Sequence, residues 1–170
     1  MKQSRAFILF LIICIIFNSC SKDDDNPDIT KSVVINELMA INSYTAADQD
    51  GEYDDWIELY NLSSNEINLE GYYLSDSKKN RTKWKFPPGT SIAGKGYLII
   101  WADSDTTQAG LHTNYKLSSL GENVLLLSPD LEIIDHVEYG AQANELAYAR
   151  VPNGTGSFVW RYATFNASND

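Results

Sequence analysis

From Val33 onward the chain alternates apolar and polar residues with a period of two, in short runs bounded by turn residues. Successive side chains of a strand point to opposite faces, so this period describes strands with one buried face. A helix would need apolar residues at i, i+3, i+4 and i+7, and no stretch sustains that stripe. The expected strands are Val33–Leu38, Trp56–Asn61, Tyr72–Ser75, Trp84–Phe86, Tyr97–Trp101, Tyr115–Leu117, Val124–Ser128, Ile133–Tyr139, Leu146–Val151 and Phe158–Tyr162. Asp50-Gly51, Glu70-Gly71, Pro87-Pro88-Gly89, Gly94-Lys95-Gly96, Pro129-Asp130 and Asn153-Gly154 separate them and carry turn chemistry. Ten Tyr, four Trp and six Phe against two Met fit the same picture, because rings pack well on pleated surfaces. The expected class is all-β, a sandwich or barrel. With 170 residues, there is room for one such domain and an appendage.

The appendage is N-terminal. Lys2 and Arg5 precede an uncharged run from Ala6 to Phe17, and Asn18-Ser19-Cys20 come next. As a helix that run spans roughly 18 Å, short of the ~30 Å hydrocarbon core, so it reads as a cleaved signal and not a permanent span. Residues 1–19 resemble a bacterial lipoprotein signal, in which Cys20 would be lipidated and become the mature N-terminus. An ordinary signal peptide with an incidental Cys is the alternative. On the lipoprotein reading Cys14 leaves with the signal and Cys20 carries lipid, so no thiol remains for a disulfide or a metal. The fold must then hold by its core alone.

Removal of Lys2 and Arg5 leaves 11 basic residues against 23 acidic ones, a net charge of −12. Such a chain repels phosphate backbones, and no nucleic-acid partner is expected. Residues 20–32 comprise Cys20 and an acidic tether that opens with Ser21-Lys22-Asp23-Asp24-Asp25-Asn26-Pro27-Asp28 and is free of apolar residues as far as Asp28. Its reach is at most roughly 40 Å. Lys22, Asp23 and Asp24 resemble the export tag of surface-displayed lipoproteins in Gram-negative bacteria; a generic acidic spacer is the plainer reading. The expected address is the outer membrane, anchored through Cys20 and exposed at the cell surface.

Within the body, Val33-Val34-Ile35-Asn36-Glu37-Leu38-Met39 resembles the opening strand of the lamin tail domain as it occurs in bacteria. Trp56-Ile57-Glu58-Leu59-Tyr60-Asn61 is similar to its second strand, followed by Leu69-Glu70-Gly71-Tyr72-Tyr73-Leu74-Ser75-Asp76 and Trp84-Lys85-Phe86-Pro87. Ile92–Ala102, Leu117-Ser118 with Gly121-Glu122, and Ile134–Gly140 complete the series, and Thr164-Phe165-Asn166 stands where the family ends in a Pro-Gly-x-x-Asn motif. The resemblance spans residues 33–167. It implies an immunoglobulin-like β-sandwich used for attachment or interaction and not for catalysis, with a surface protein or a glycan as partner. Bacterial domains of this kind often accompany hydrolases, which here would be separate polypeptides.

The residues support that expectation. A triad needs a base, and only His112 and His136 are present, neither near a nucleophile elbow. Glu37 and Glu58 could approach across neighbouring strands as a glycosidase-like pair, although salt-bridged or solvated edge residues are the plainer reading. Tyr44, Tyr53, Tyr72 and Trp84 are the candidates for an exposed, carbohydrate-binding row of rings. Asp48, Asp50, Glu52 and Asp54 crowd around Gly51 and offer hard oxygens to Ca²⁺, without EF-hand spacing. Strand parity places Asp76, Asp103 and Asp105 at the same end of the sandwich. A solvated acidic loop is the competing reading.

Overall fold

The computed structural model describes residues 32–170, and the signal, Cys20, Lys22, Asp23 and Asp24 lie outside them. The described chain is all-β: β1 (Val33–Met39), β2 (Trp56–Asn61), β3 (Ile67–Asn68), β4 (Tyr73–Ser75), β5 (Trp84–Lys85), β6 (Ser91–Ile92), β7 (Tyr97–Trp101), β8 (Gly121–Leu127), β9 (Ile133–Gly140), β10 (Leu146–Val151) and β11 (Ser157–Tyr162). One sheet runs β11-β10-β1-β2-β7, the other β5-β4-β8-β9, and β3 and β6 form a small ribbon. Every pairing between these strands is antiparallel.

The alternation does what its period implies. Val33, Ile35, Leu38, Ile57, Leu59 and Ile100 from the first sheet meet Leu74, Val124, Leu126, Val137 and Tyr139 from the second in one buried core. Two expectations need correction. Tyr115–Leu117 is not a strand: the segment makes only the isolated Asp103–Lys116 bridge, and the Thr113 hydroxyl donates to the Tyr115 carbonyl at 2.6 Å. Tyr115 and Leu117 are buried plugs in a loop, and burial gives them a strand-like alternation without a partner strand. Conversely, β3 and β6 escape a reading by period because two residues contain only one alternation, yet Ile67 and Ile92 are core residues.

A β-bulge between Ile35 and Glu37 reverses the parity of β1. Val33, Ile35 and Leu38 join the central core, whereas Met39 joins Trp56, Trp101 and Ala147 on the opposite face of the sheet. That outer face is covered by the residues after β11. Phe165 packs edge-on against Trp56, with ring centroids 5.2 Å apart, and lies 5.7 Å from Trp101. The strap is fastened by Glu37 and Glu58. Glu37 accepts from Thr164 N at 3.1 Å and from its hydroxyl at 2.9 Å, and Glu58 Oε2 accepts from Asn166 N at 2.6 Å. Asn36, at the bulge, donates to Glu58 Oε1 at 2.8 Å and accepts from Gly154 N at 2.8 Å. Glu37 and Glu58 are therefore fully buried, neither solvated nor salt-bridged edge residues. Their carboxylates face the strap and not an open cleft.

The two sheets are stitched at β9 and β1. Asp135 Oδ2 accepts the Ile35 N–H at 2.8 Å, while Arg150 Nε donates to Ile35 O at 2.8 Å. Arg150 Nη2 contacts both Asp135 oxygens, at 3.0 and 2.9 Å. The guanidinium also stacks 4.5 Å from the Phe158 ring centroid.

Candidate cation site at the loop end

Antiparallel order sends the turns after β1, β4, β7 and β9 to one end, opposite the start of β1. Side chains confirm the gathering. Gln142 Oε1 accepts from Ala40 N at 2.5 Å, Gln142 N donates to Ser119 O at 2.9 Å, and Gln108 Nε2 donates to Glu52 Oε2 at 3.1 Å.

Asp48 organises the acidic loop. Its Oδ1 accepts Asp50 N at 2.9 Å and Glu52 N at 2.8 Å, and Asp48 N donates to Glu52 O at 2.9 Å. Gly51 turns the chain at φ +86°, a conformation most side chains resist. Asp48 Oδ2 is left buried with no donor, as are Asp54 Oδ2 and Gln108 Oε1. Asp48, Glu52 and Asp54 each bring a carboxylate oxygen within 4.8 Å of the others. A buried anionic oxygen without a partner is costly, and a hard cation would reverse that cost. Burial first, then the charges of Asp103, Glu52 and Asp48, raise the Asp54 carboxyl above its ordinary value, and Lys116 opposes them.

Three of the four expected ligands thus converge. Asp50 does not: its backbone builds the turn, and its exposed carboxylate belongs to neither metal-like group. Asp103 does lie at the site, as parity implies, and forms a second group with Asp48 and His112. Its Asp103 and His112 members are already engaged with each other, because His112 Nδ1 faces Asp103 Oδ2 at 2.5 Å and His112 Nε2 faces Ala109 O at 3.0 Å. Asp103 Oδ1 also accepts Asp105 N at 2.9 Å, so the pair braces the neighbouring loop. Asp105 points to solvent, and hydrogen bonds from Thr107 hold its carboxyl below the usual range. Asp76 is not part of the cluster, since its carboxylate is paired with Lys83. His136 is engaged as well, with Nε2 2.7 Å from Asn123 Oδ1, and burial lowers its pKa.

The expected row of rings does not form. Trp84 is a core residue packed 4.8 Å from Phe86, and Tyr72 packs against the core. Tyr44 and Tyr53 remain exposed, at 69% and 48%. A separate open cleft of about 490 Å³ carries a different ring, Tyr73, with Asn68, Glu70, Lys85, Pro87 and Pro88 around it.

Two antiparallel sheets packed over one core define an immunoglobulin-like sandwich, the architecture of an interaction module. The lamin tail domain family model matches residues 27–141, and the chain belongs to that family. No curated protein matches the chain. The matched stretch ends after β9, so β10, β11 and the strap complete the sandwich beyond it.

Proposed function

We propose that this chain is a lipid-anchored interaction module displayed at the surface of the outer membrane, without catalytic activity, whose loop end is ordered by a divalent cation. The observation that carries the cation reading is the pair of buried, unpartnered oxygens, Asp48 Oδ2 and Asp54 Oδ2, in a cluster of converging carboxylates. Asp48, Glu52 and Asp54 would hold the ion, with the Gln108 oxygen nearby. Ca²⁺ suits such a flexible, oxygen-rich loop better than Mg²⁺, which demands near-octahedral geometry. The partner is a surface protein, and the cation fixes the loop conformation it meets. A glycan partner is the second reading. The cleft at Tyr73 favours it, pairing a half-buried ring with amide, carboxylate and ammonium groups.

A ligand binding only the folded state stabilises it by about 2.7 kcal/mol at a hundredfold excess over Kd. For a domain of this size and a Kd of ~0.1 mM, that corresponds to a melting temperature about 5–10 °C higher in ~10 mM Ca²⁺ than in chelator. Asp54→Asn should shrink the difference, and Asp50→Asn should leave most of it. Equal melting curves with Ca²⁺ and with chelator would reduce the cluster to a solvated acidic loop.

The anchor has its own test. Cys20→Ala should abolish acyl labelling and release the protein from the membrane fraction. Labelling and membrane retention unaffected by that substitution would sink the lipoprotein reading.

A further inference from the structure

We propose that two copies of this chain associate edge to edge through β11, joining their five-stranded sheets into one continuous antiparallel sheet. An open sheet edge presents unpaired N–H and C=O groups, and natural sheets blunt such edges with charge, proline, bulges or cover. The other edges of this sandwich are blunted. At β7, Trp101 N donates to Leu111 O and Thr113 N to Trp101 O, so the returning chain closes that end of the edge. β5 has two residues and runs into Pro87-Pro88. β9 carries the carboxylates of Asp135 and Glu138, so two acidic copies pairing there would oppose like charges.

By contrast, β11 pairs with β10 over six residues in unbroken register, contains no proline, and among the described residues has no strand on its far side. Three of its six side chains are apolar and exposed: Val159 at 42%, Trp160 at 40% and Tyr162 at 81%. Tyr148 on β10 holds the rings of this face in place, with centroids 5.1 Å from Phe158 and 4.4 Å from Trp160.

The occupant is set by charge and register. The chain carries 23 acidic residues, yet residues 146–162 contain none, only Arg150 and Arg161. Two strongly acidic molecules therefore meet here with no carboxylates opposed. Side-chain parity also makes the strand complementary to itself. A two-fold axis at Trp160 sets Phe158 opposite the partner's Tyr162, Trp160 opposite the partner's Trp160, and Val159 opposite the partner's Arg161. Rings then meet rings on one face, the pairing that stabilises sheets most, and no like charges face each other. Antiparallel pairing turns the second copy end for end, so each loop end stays open to its own ligand.

The register makes the test specific. The chain from residue 20 onward, carrying Cys20→Ser so that no lipid drives association, should show a concentration-dependent monomer–dimer equilibrium in sedimentation velocity. Val159→Lys places an ammonium opposite the partner's Arg161 twice per dimer and should weaken association about tenfold, whereas Val159→Glu should strengthen it by a similar factor. Val159 is exposed, and circular dichroism of both variants should match the parent. A chain that stays monomeric at every concentration tested overturns the proposal. So does a dimer indifferent to the charge at position 159, which would use another surface.

Discussion

Asp135→Ala should cost the domain about 2–4 kcal/mol of stability and lower its melting temperature by roughly 5–15 °C. One substitution removes two things at once. The Arg150 guanidinium, mostly buried, loses the carboxylate that both its contacts reach, and an unpaired buried charge is among the most damaging defects a core can carry. Ile35 N, in a fully buried residue, loses its acceptor at the point where the bulge has taken β1 out of register. That same hydrogen bond is the one that joins β9 to β1 across the sandwich. Asp135→Asn keeps an acceptor for Ile35 N but no charge, and should fall between the parent and Ala. Urea unfolding checks this: the midpoint should move while the slope stays constant. A loss under about 1 kcal/mol would mean that solvent at the seam replaces the ion pair, as it does for surface pairs.

This seam marks the limit of what the amino-acid order shows by itself. The alternation in Val33–Leu38, Trp56–Asn61 and Tyr97–Trp101 is legible because each run is long enough to express a period and each buries one face. The bulge at Asn36 is not legible, because a bulge is a property of the pair of strands and β1 meets β2 and β10 across long stretches of chain. Glu37 illustrates the consequence. Unbroken alternation with Val33 and Ile35 would point it into the core, and the bulge turns it outward to the strap. The strap itself has no period, and one apolar ring in a polar stretch, Phe165, was the single signal for it. At the loop end, the crowding of Asp48, Glu52 and Asp54 could be read from their spacing, and the arrival of Asp103 from strand parity. That Asp50 would spend itself on the turn, and that Asp76 would find Lys83, depends on side-chain directions that spacing does not encode.

Lowering the pH from 8 to 5 should make the domain more stable, and Glu58 should be a principal reason. Burial pushes its carboxyl up to about 7, helped by the neighbouring charge of Glu37, against hydrogen bonds from Asn36 and Asn166 that favour the ionised form. Glu37 is raised in the same direction, with Arg161 opposing, and burial also pushes Asp55 up to about 7. The folded state therefore binds protons more tightly than the unfolded chain. For Glu58 the stabilisation is fully present below the ordinary carboxyl value of 4.5 and is lost as the pH rises through about 7. Its share between pH 7 and pH 5 is on the order of 2–3 kcal/mol. His136, held below its ordinary 6.5, works against the trend as the solution becomes acidic, because the unfolded chain then takes up a proton that the folded one resists. Glu58→Gln should separate these contributions. The amide keeps the shape and one oxygen, for Asn36 or Asn166, turns an N–H toward the other donor, removes the repulsion with Glu37, and should flatten the slope between pH 5 and pH 8. Thermal melts of parent and variant across that range decide the matter, and parallel pH profiles would move the origin of the acid stabilisation away from Glu58. A carboxylate that weakens the fold at neutral pH still has a structural use here. Two oxygens on one side chain satisfy Asn36 at the bulge and the Asn166 backbone in the strap, so the same charge that costs stability joins β1, β2 and the strap at one point.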